Sequence, residues 1–252
     1  MNAVDRSQHL DRLRPYVERA RRMRGWALEY DSPTPLGPGP PWDYELRARE
    51  LLEGARSVLD LGTGGGEFFA SVCDGYLGRA VATEEWAPNV PVAASRLSSV
   101  GIPVVHASSE HLPFADGSFD VVLSRHESLD PEDAGRVVAR GGHVLTQQVA
   151  NSNWQELSEF FPRMTDFGPH FERYQDGFRK AGLSVTRAET HDCLVEFGSL
   201  GEVAYLLQAV PWLVPDFDLD RDLDALLALE RSAGGGRIVL TEGRYIVEAR
   251  KP

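Results

Sequence analysis

Between Val58 and Glu67 the chain reads VLDLGTGGGE, an apolar run that ends in an acid, Asp60, followed by glycines at 62, 64 and 66. Glycines at alternate positions let a backbone turn sharply and approach a ligand with no Cβ in the way. A dinucleotide fingerprint begun at Gly62 would need its third glycine at position 67, where Glu67 stands and would repel a pyrophosphate. An acid followed by such a loop suits instead a ligand with an amino-acid tail and a cationic sulfur, which negative side chains favour. A second group with chemistry is Arg125-His126-Glu127, a titratable imidazole with its own carboxylate neighbour, which is the make-up of a general base. His106 and His111 read as ordinary strand-end or loop positions. The adjacent His191, Asp192 and Cys193 have no second ligand group spaced for tetrahedral zinc, so no metal site is expected.

The elements that must hold these groups alternate along the chain. Asp43 can cap a helix that runs through Leu51 and Leu52 and stops at Gly54. Apolar strands are then expected at 57–61, 79–83, 103–106, 119–124 and 143–147, with helices at 87–99 and 131–139 between them. Continuous apolar strands separated by helices imply an α/β fold with a mostly parallel sheet covered on both faces. Helices are expected at 153–161 and 170–181, a strand at 183–186, and a last strand at 245–249, which makes seven strands in all. A helical insertion, 192–234, falls between the last two. Arg125 to Glu127 then stand at the carboxyl end of the fourth strand, the side of such a sheet where loops form the site.

Ahead of this domain, Leu10, Leu13, Tyr16, Val17 and Ala20 recur at helical spacing, which predicts an amphipathic helix. Its arginines (Arg6, Arg12, Arg14, Arg19, Arg21, Arg22, Arg24) outnumber Asp5, Asp11, Glu18 and Glu29 and are expected to face water. A loop from Asp31 to Trp42 carries five prolines and two glycines, too many for a helix or a central strand. The division is thus 1–42, helix and loop placed to cover the ligand, and 43–252, the main domain with its insertion.

The 252 residues carry 38 acidic and 26 basic side chains, a formal net charge of -12. That balance repels nucleic-acid phosphate and disfavours such a partner. With 42% hydrophobic residues and two separated cysteines, Cys73 and Cys193, the composition is that of a globular domain that folds without disulfides in a reducing, cytoplasmic setting. No run of apolar residues is long enough for a membrane span.

Asp60, Gly62, Gly64 and Gly66 match, position by position, the first motif D/E-x-G-x-G-x-G of the class I S-adenosylmethionine-dependent methyltransferases, and the chain resembles that family in three further places. The strand 79–83 leads to Glu84, which the resemblance assigns to the ribose hydroxyls; Glu85 follows directly, and alternation off the strand favours Glu84. SSEHLPFADGSFDVV (108–122) is similar to the family's segment bordering the adenine, with Ser108 in place of the usual Asp, so that adenine recognition passes to Ser109, Glu110 or backbone. ARGGHVLT (139–146) is similar to the segment before the fifth strand, with Arg140 where proline is usual. The motifs PWDY (41–44), SRHE (124–127) and TQQV (146–149) resemble one bacterial branch of the family.

What the resemblance implies is a Rossmann-like sheet whose last strand is antiparallel, S-adenosylmethionine as cofactor, and methyl transfer to a small-molecule acceptor. Cofactor contacts are expected from Asp60, Gly62, Thr63, Gly64, Gly66, Glu84, Trp86, Ser109, Glu110 and Arg125, with Trp42 and Trp86 either stacking on the ligand or filling the core. The catalytic candidates are His126 and Glu127. Trp154, Phe160, Phe161, His170, Phe171, Tyr174, Tyr205 and Trp212 are expected in segments lining the acceptor pocket, core packing being the commoner role for any one. The alternative is a protein of this fold that binds the cofactor or its product and performs a cyclisation, an elimination or support of a partner protein. A homodimer or partner protein stays open.

Overall fold

A computed structural model describes residues 3–23 and 33–252; Arg24, Glu29 and Asp31 lie outside the described residues. One mixed sheet organises the chain, in the order β1-β7-β8-β6-β5-β2-β3-β4. Its parallel half consists of β2 (Ser57–Leu61), β3 (Arg79–Glu84), β4 (Val104–His106), β5 (Phe119–Arg125) and β6 (Val138–Val149). β8 (Ile238–Arg250) runs antiparallel to β6, and β7 (Ser184–Phe197) antiparallel to β8. A two-residue edge strand β1 (Thr34–Pro35) pairs with β7. The expected seven strands are therefore joined by an eighth, where the proline-rich loop takes the only sheet position open to proline, an edge.

Helices α2 (Tyr44–Leu52), α3 (Glu67–Val72), α4 (Val90–Ser98), α5 (Pro131–Val137) and α6 (His170–Lys180) connect the strands. Their starts follow local chemistry. The Asp43 carboxylate accepts from the Leu46 N–H at 2.9 Å, and Asp130 accepts from Asp133 N–H at 2.7 Å with Pro131 opening the helix. Buried apolar side chains fill both faces of the sheet, around Leu59, Phe119 and Phe178 on one side and Val58, Phe69 and Leu123 on the other. The expected helix at 153–161 is a single 3-10 turn, Gln155–Glu159.

The larger correction concerns the last two strands. Both are far longer than their apolar cores suggested, so the insertion begins at 198 rather than 192 and ends at 237. Val149 pairs with Arg244, whereas Asp192 to Phe197 pair with Gly243 to Ile238, beyond the end of β6. Six residue pairs thus project past the carboxyl edge of the sheet as an arm roughly 20 Å long. These residues read as polar or mixed because one strand face stays open: Leu194 and Val239 are exposed on it. The other face carries α7 (Leu200–Ala209) and α8 (Leu219–Ser232), and onto these packs α1 (Ala3–Arg21).

Leu10, Leu13 and Val17 of α1 are buried with Leu206, Leu207, Leu226 and Leu227 in a cluster separate from the sheet's own cores. Tyr16 lies where a Cβ on Gly201 would stand, which lets α1 and α7 approach closely. The arginines of α1 do not all face water as expected: Arg12 makes a two-pronged pair with Glu230 at 2.8 and 2.9 Å, Arg6 reaches Asp224 at 3.7 Å, and the Arg19 guanidinium lies 5.5 Å from the centre of the Tyr205 ring. Matching charges on α8 absorb part of the basic excess. No helix among the described residues is long and apolar enough to cross a membrane.

Because Leu13 is 1% exposed within this cluster, Leu13→Ala is expected to destabilise by roughly 2–5 kcal/mol. A urea titration followed by tryptophan fluorescence checks it: one transition shifted to lower urea places α1 in the cooperative unit, and an unshifted curve removes it.

Candidate active site

The parallel pairing of β2 with β5 sets Leu61 opposite Ser124, so the glycine loop and the Arg125-His126-Glu127 segment leave the sheet side by side. Sheet order reverses between these two strands, which opens the crevice in which ligands of such folds bind. Gly62, Gly64 and Gly66 all take left-handed backbone (φ 62°, 62° and 81°). A Cβ at Gly62 would overlap the Glu127 side chain, and one at Gly66 would press on Leu97. Only glycine fits this turn.

Glu84 holds the loop in shape. Its two carboxylate oxygens accept from the Gly64 N–H at 2.7 Å and the Trp86 N–H at 2.8 Å, and Thr63 N–H donates to the Thr83 carbonyl at 2.8 Å. Each oxygen keeps a further lone pair for a ligand hydroxyl. Glu84 and Asp60 are both buried. Burial pushes the Asp60 carboxyl up to about 7, with Glu84 adding to the rise while the Thr63 hydroxyl and Arg125 oppose it. Glu84 is also raised by burial, its two backbone bonds pulling the other way. The half-buried Glu127 is pushed up to about 7 by burial first and then by Glu84, Glu85 and Glu110. This half of the crevice is thus lined by carboxylates, two of them buried, and is suited to a cationic ligand.

The segment after β5 is clamped by β6. The Gln148 amide nitrogen lies 2.6 Å from the Glu127 carbonyl and 3.1 Å from the Ser124 hydroxyl, which itself donates to the Glu127 carbonyl at 2.9 Å. Gln147 serves its neighbour: its backbone carbonyl accepts from the His126 N–H at 2.8 Å and its side-chain nitrogen lies 3.3 Å from His126 Nε2. Trp42, buried, donates from Nε1 to the Gln147 side-chain oxygen at 2.7 Å. His126 is thereby held at φ 60°, an uncommon conformation for a residue with a side chain. Burial, Arg244 and Arg125 push its imidazolium down to about 3. The Arg125 guanidinium lies 4.5 Å from the centre of the Phe68 ring.

Of the residues singled out in the sequence, the structure brings Asp60, Gly62, Thr63, Gly64, Gly66, Glu84, Arg125, His126 and Glu127 together at this crevice. Ser109 is 1% exposed and its hydroxyl has no hydrogen-bond partner among the described residues. Glu110 is exposed beside it, close enough to act on Glu127. Trp86 stands at the rim, 46% exposed, while Trp42 is a buried donor rather than an exposed stacking platform. Three of the eight expected pocket aromatics are core: Phe161 and Tyr205 are fully buried, and Tyr174, also buried, accepts at its hydroxyl from Leu129 N–H at 3.2 Å; Trp154, Phe160, His170 and Phe171 are half-buried and Trp212 is exposed. His106 bonds the Glu85 carbonyl, and His191 the Pro38 carbonyl.

Sequence reasoning assigned no role to Gln147, Gln148, Arg244 or Asn153. Arg244 and the Gly243 N–H both donate to the Asn153 side-chain oxygen, at 2.6 and 3.2 Å, which ties the base of the arm to the loop after β6. The available signal was two amides in succession at the end of an apolar strand, because buried amides must find partners.

Residues 59–146 match the family model for the methyltransferase domain. Over 154 residues the chain is 27% identical to the ubiquinone/menaquinone biosynthesis C-methyltransferase UbiE of Haemophilus ducreyi, a match covering 56% of each protein, so the chain spans about half the length of that curated relative. Among solved structures, a candidate methyltransferase from Bacillus halodurans C-125 superposes with a TM-score of 0.61 at 16% identity, covering 82% of this chain and 98% of that one. A protein of unknown function from Deinococcus radiodurans R1 gives 0.63 at 15% identity, covering 88% and 92%. These two likenesses concern the fold.

A carboxyl raised in the folded state binds its proton more tightly there than in the unfolded chain, so its contribution favours folding at low pH and is lost as pH rises towards the folded value. For Glu127 that window runs from about 4.5 up to about 7. Glu127→Gln is therefore expected to melt at a higher temperature than the parent at pH 8, the gap closing below pH 4.5. Melting curves across that range check it, and an equal or lower melting temperature at pH 8 contradicts the assignment.

Proposed function

We propose that this chain, which belongs to the S-adenosylmethionine-dependent methyltransferases, transfers a methyl group to a small organic acceptor bound between the Arg125-His126-Glu127 segment and the arm. Its cofactor is S-adenosylmethionine. The observation that carries the reading is the glycine cradle beside a carboxylate pocket: a turn that a Cβ would fill, Glu84 with free lone pairs, and a buried Ser109 hydroxyl without a protein partner. These fit the group. The turn Gly62 to Gly66, with Asp60 and Thr63, would hold the amino-acid tail, Glu84 the ribose hydroxyls, and Ser109 with Glu110 the adenine, with Trp86 at the rim.

When bound, the cofactor supplies an electrophilic methyl carbon on a sulfonium. The protein's part is to align the acceptor, keep water out and take up a proton where the acceptor has one to lose. Glu127 suits the last role, since a base works best when its pKa lies near the working pH. Arg125, over the Phe68 ring, and Arg244, paired with Glu242 at 2.8 Å, bring positive charge to the His126 segment, which favours an acceptor that becomes electron-rich at oxygen or carbon on losing that proton. In this reading α1, packed on α7 and α8, serves as the cover over this side. The acidic net charge argues against a nucleic-acid substrate, and a reducing cytoplasmic setting fits the two free cysteines.

Isothermal titration with S-adenosylmethionine, S-adenosylhomocysteine and NAD in parallel tests the site. The first two are expected to bind at micromolar concentration and NAD not at all. Glu84→Ala removes charge-assisted bonds of roughly 1.5–3 kcal/mol each and should weaken binding by about tenfold or more. Binding that survives in Glu84→Ala contradicts the assignment. Labelled methyl transfer across a panel of small acids, phenols and ketones tests the chemistry; tight cofactor binding with no methylated product would turn the reading towards a cyclisation, an elimination or support of a partner.

A further inference from the structure

An indole N–H can only donate, so the Gln147 atom 2.7 Å from Trp42 Nε1 is the amide oxygen, and the atom 3.3 Å from His126 Nε2 is the amide nitrogen. An amide nitrogen can only donate, which leaves His126 Nε2 as the acceptor of that bond. A neutral imidazole that accepts at Nε2 carries its proton on Nδ1. From this chain of bonds we infer that Gln147, oriented by Trp42, is a positioning residue that holds His126 as the neutral Nδ1–H tautomer, making His126 a fixed hydrogen-bond donor to the acceptor and leaving proton uptake to Glu127. The inference deepens the proposed function, on which the roles towards the acceptor rest.

Three observations support it independently. The His126 backbone is fixed as well as its ring, since its N–H donates to the Gln147 carbonyl at 2.8 Å and its φ is 60°. Nδ1 has no protein partner among the described residues, and the side chain is open to the crevice. The charged groups acting on the ring from β5 and β8 are Arg125 and Arg244, and both disfavour a second proton. A ring that stays neutral and whose Nε2 is already engaged is a poor base. The proton on Nδ1 is instead available to an oxygen of the acceptor as negative charge builds there.

The test is a nitrogen-15 spectrum of protein labelled at histidine, in which a protonated and an unprotonated ring nitrogen resonate apart, with His126 assigned by the signals lost in His126→Asn. The parent is expected to show Nδ1–H near neutral pH. In Gln147→Glu the carboxylate next to Nε2 should draw the proton to that nitrogen and raise the histidine pKa by roughly one to three units. Trp42→Phe frees the amide to turn and present its oxygen, and should also populate Nε2–H; should either variant fail to fold, the parent and the other still decide. A parent ring protonated at Nε2, or a Gln147→Glu ring still protonated at Nδ1, overturns the inference. The spectra need neither cofactor nor acceptor, so an Nδ1–H parent that methylates nothing would count against the proposed function and leave the tautomer lock standing.

Discussion

The register between β2 and β5 is the constraint on which the rest of this molecule depends. Leu61 faces Ser124 across a parallel ladder, so the turn after one strand and the segment after the other emerge at the same height. A slip of one residue would turn each side chain of β2 from one core to the other, setting Val58 among the partners of Leu59 and Leu61, and those two among the partners of Val58. The glycine cradle, the Glu84 carboxylate and the ring of His126 inherit their mutual placement from this pairing.

Given that placement, charge is gathered around the crevice. Asp60, Glu84 and Glu127 lie about the glycine turn, Arg125 sits over the Phe68 ring and opposes the rise of Asp60, and Arg244 stands at the base of the arm. Crowding carboxylates where some are buried costs stability, and the raised Asp60 and Glu127 express that cost. It is offset where packing is best: in the sheet's two cores, and around Glu248, whose buried carboxylate takes two bonds from Arg47 at 2.7 and 2.8 Å and one contact from His143 at 3.0 Å.

How far this was legible in the sequence follows from where the information is local. The parallel strands are continuous apolar runs, so β2 is found residue for residue, and the acid and glycines after it announce the turn because few other functions need such spacing. Asp43 and Asp130 mark helix starts through bonds reaching three residues ahead. The arm was illegible: Asp192 to Phe197 read DCLVEF, with no regular alternation of polar and apolar residues, and only pairing with a strand some 45 residues later makes them β. The same holds for the bonds of Gln147 and Trp42, which join residues 105 positions apart. A side-chain amide shows its need for a partner in sequence, but not which partner.

Of the eight strands, the last in chain order is not at the edge of the sheet. β8 lies between β6 and β7 and pairs with β7 along its length and with β6 from Arg244 to Arg250. While a ribosome is still making residues 238–250, the parallel half can fold, yet β7 has no ladder to join and the helices of the arm have no base to stand on. The nascent chain therefore passes through a state in which the edge of β6 and the apolar faces of α7 and α8 are open to other chains, a recognised route to misassembly. Closure of the crevice and completion of the sheet are the same event, so a chain interrupted before β8 would retain a glycine turn with no finished pocket around it.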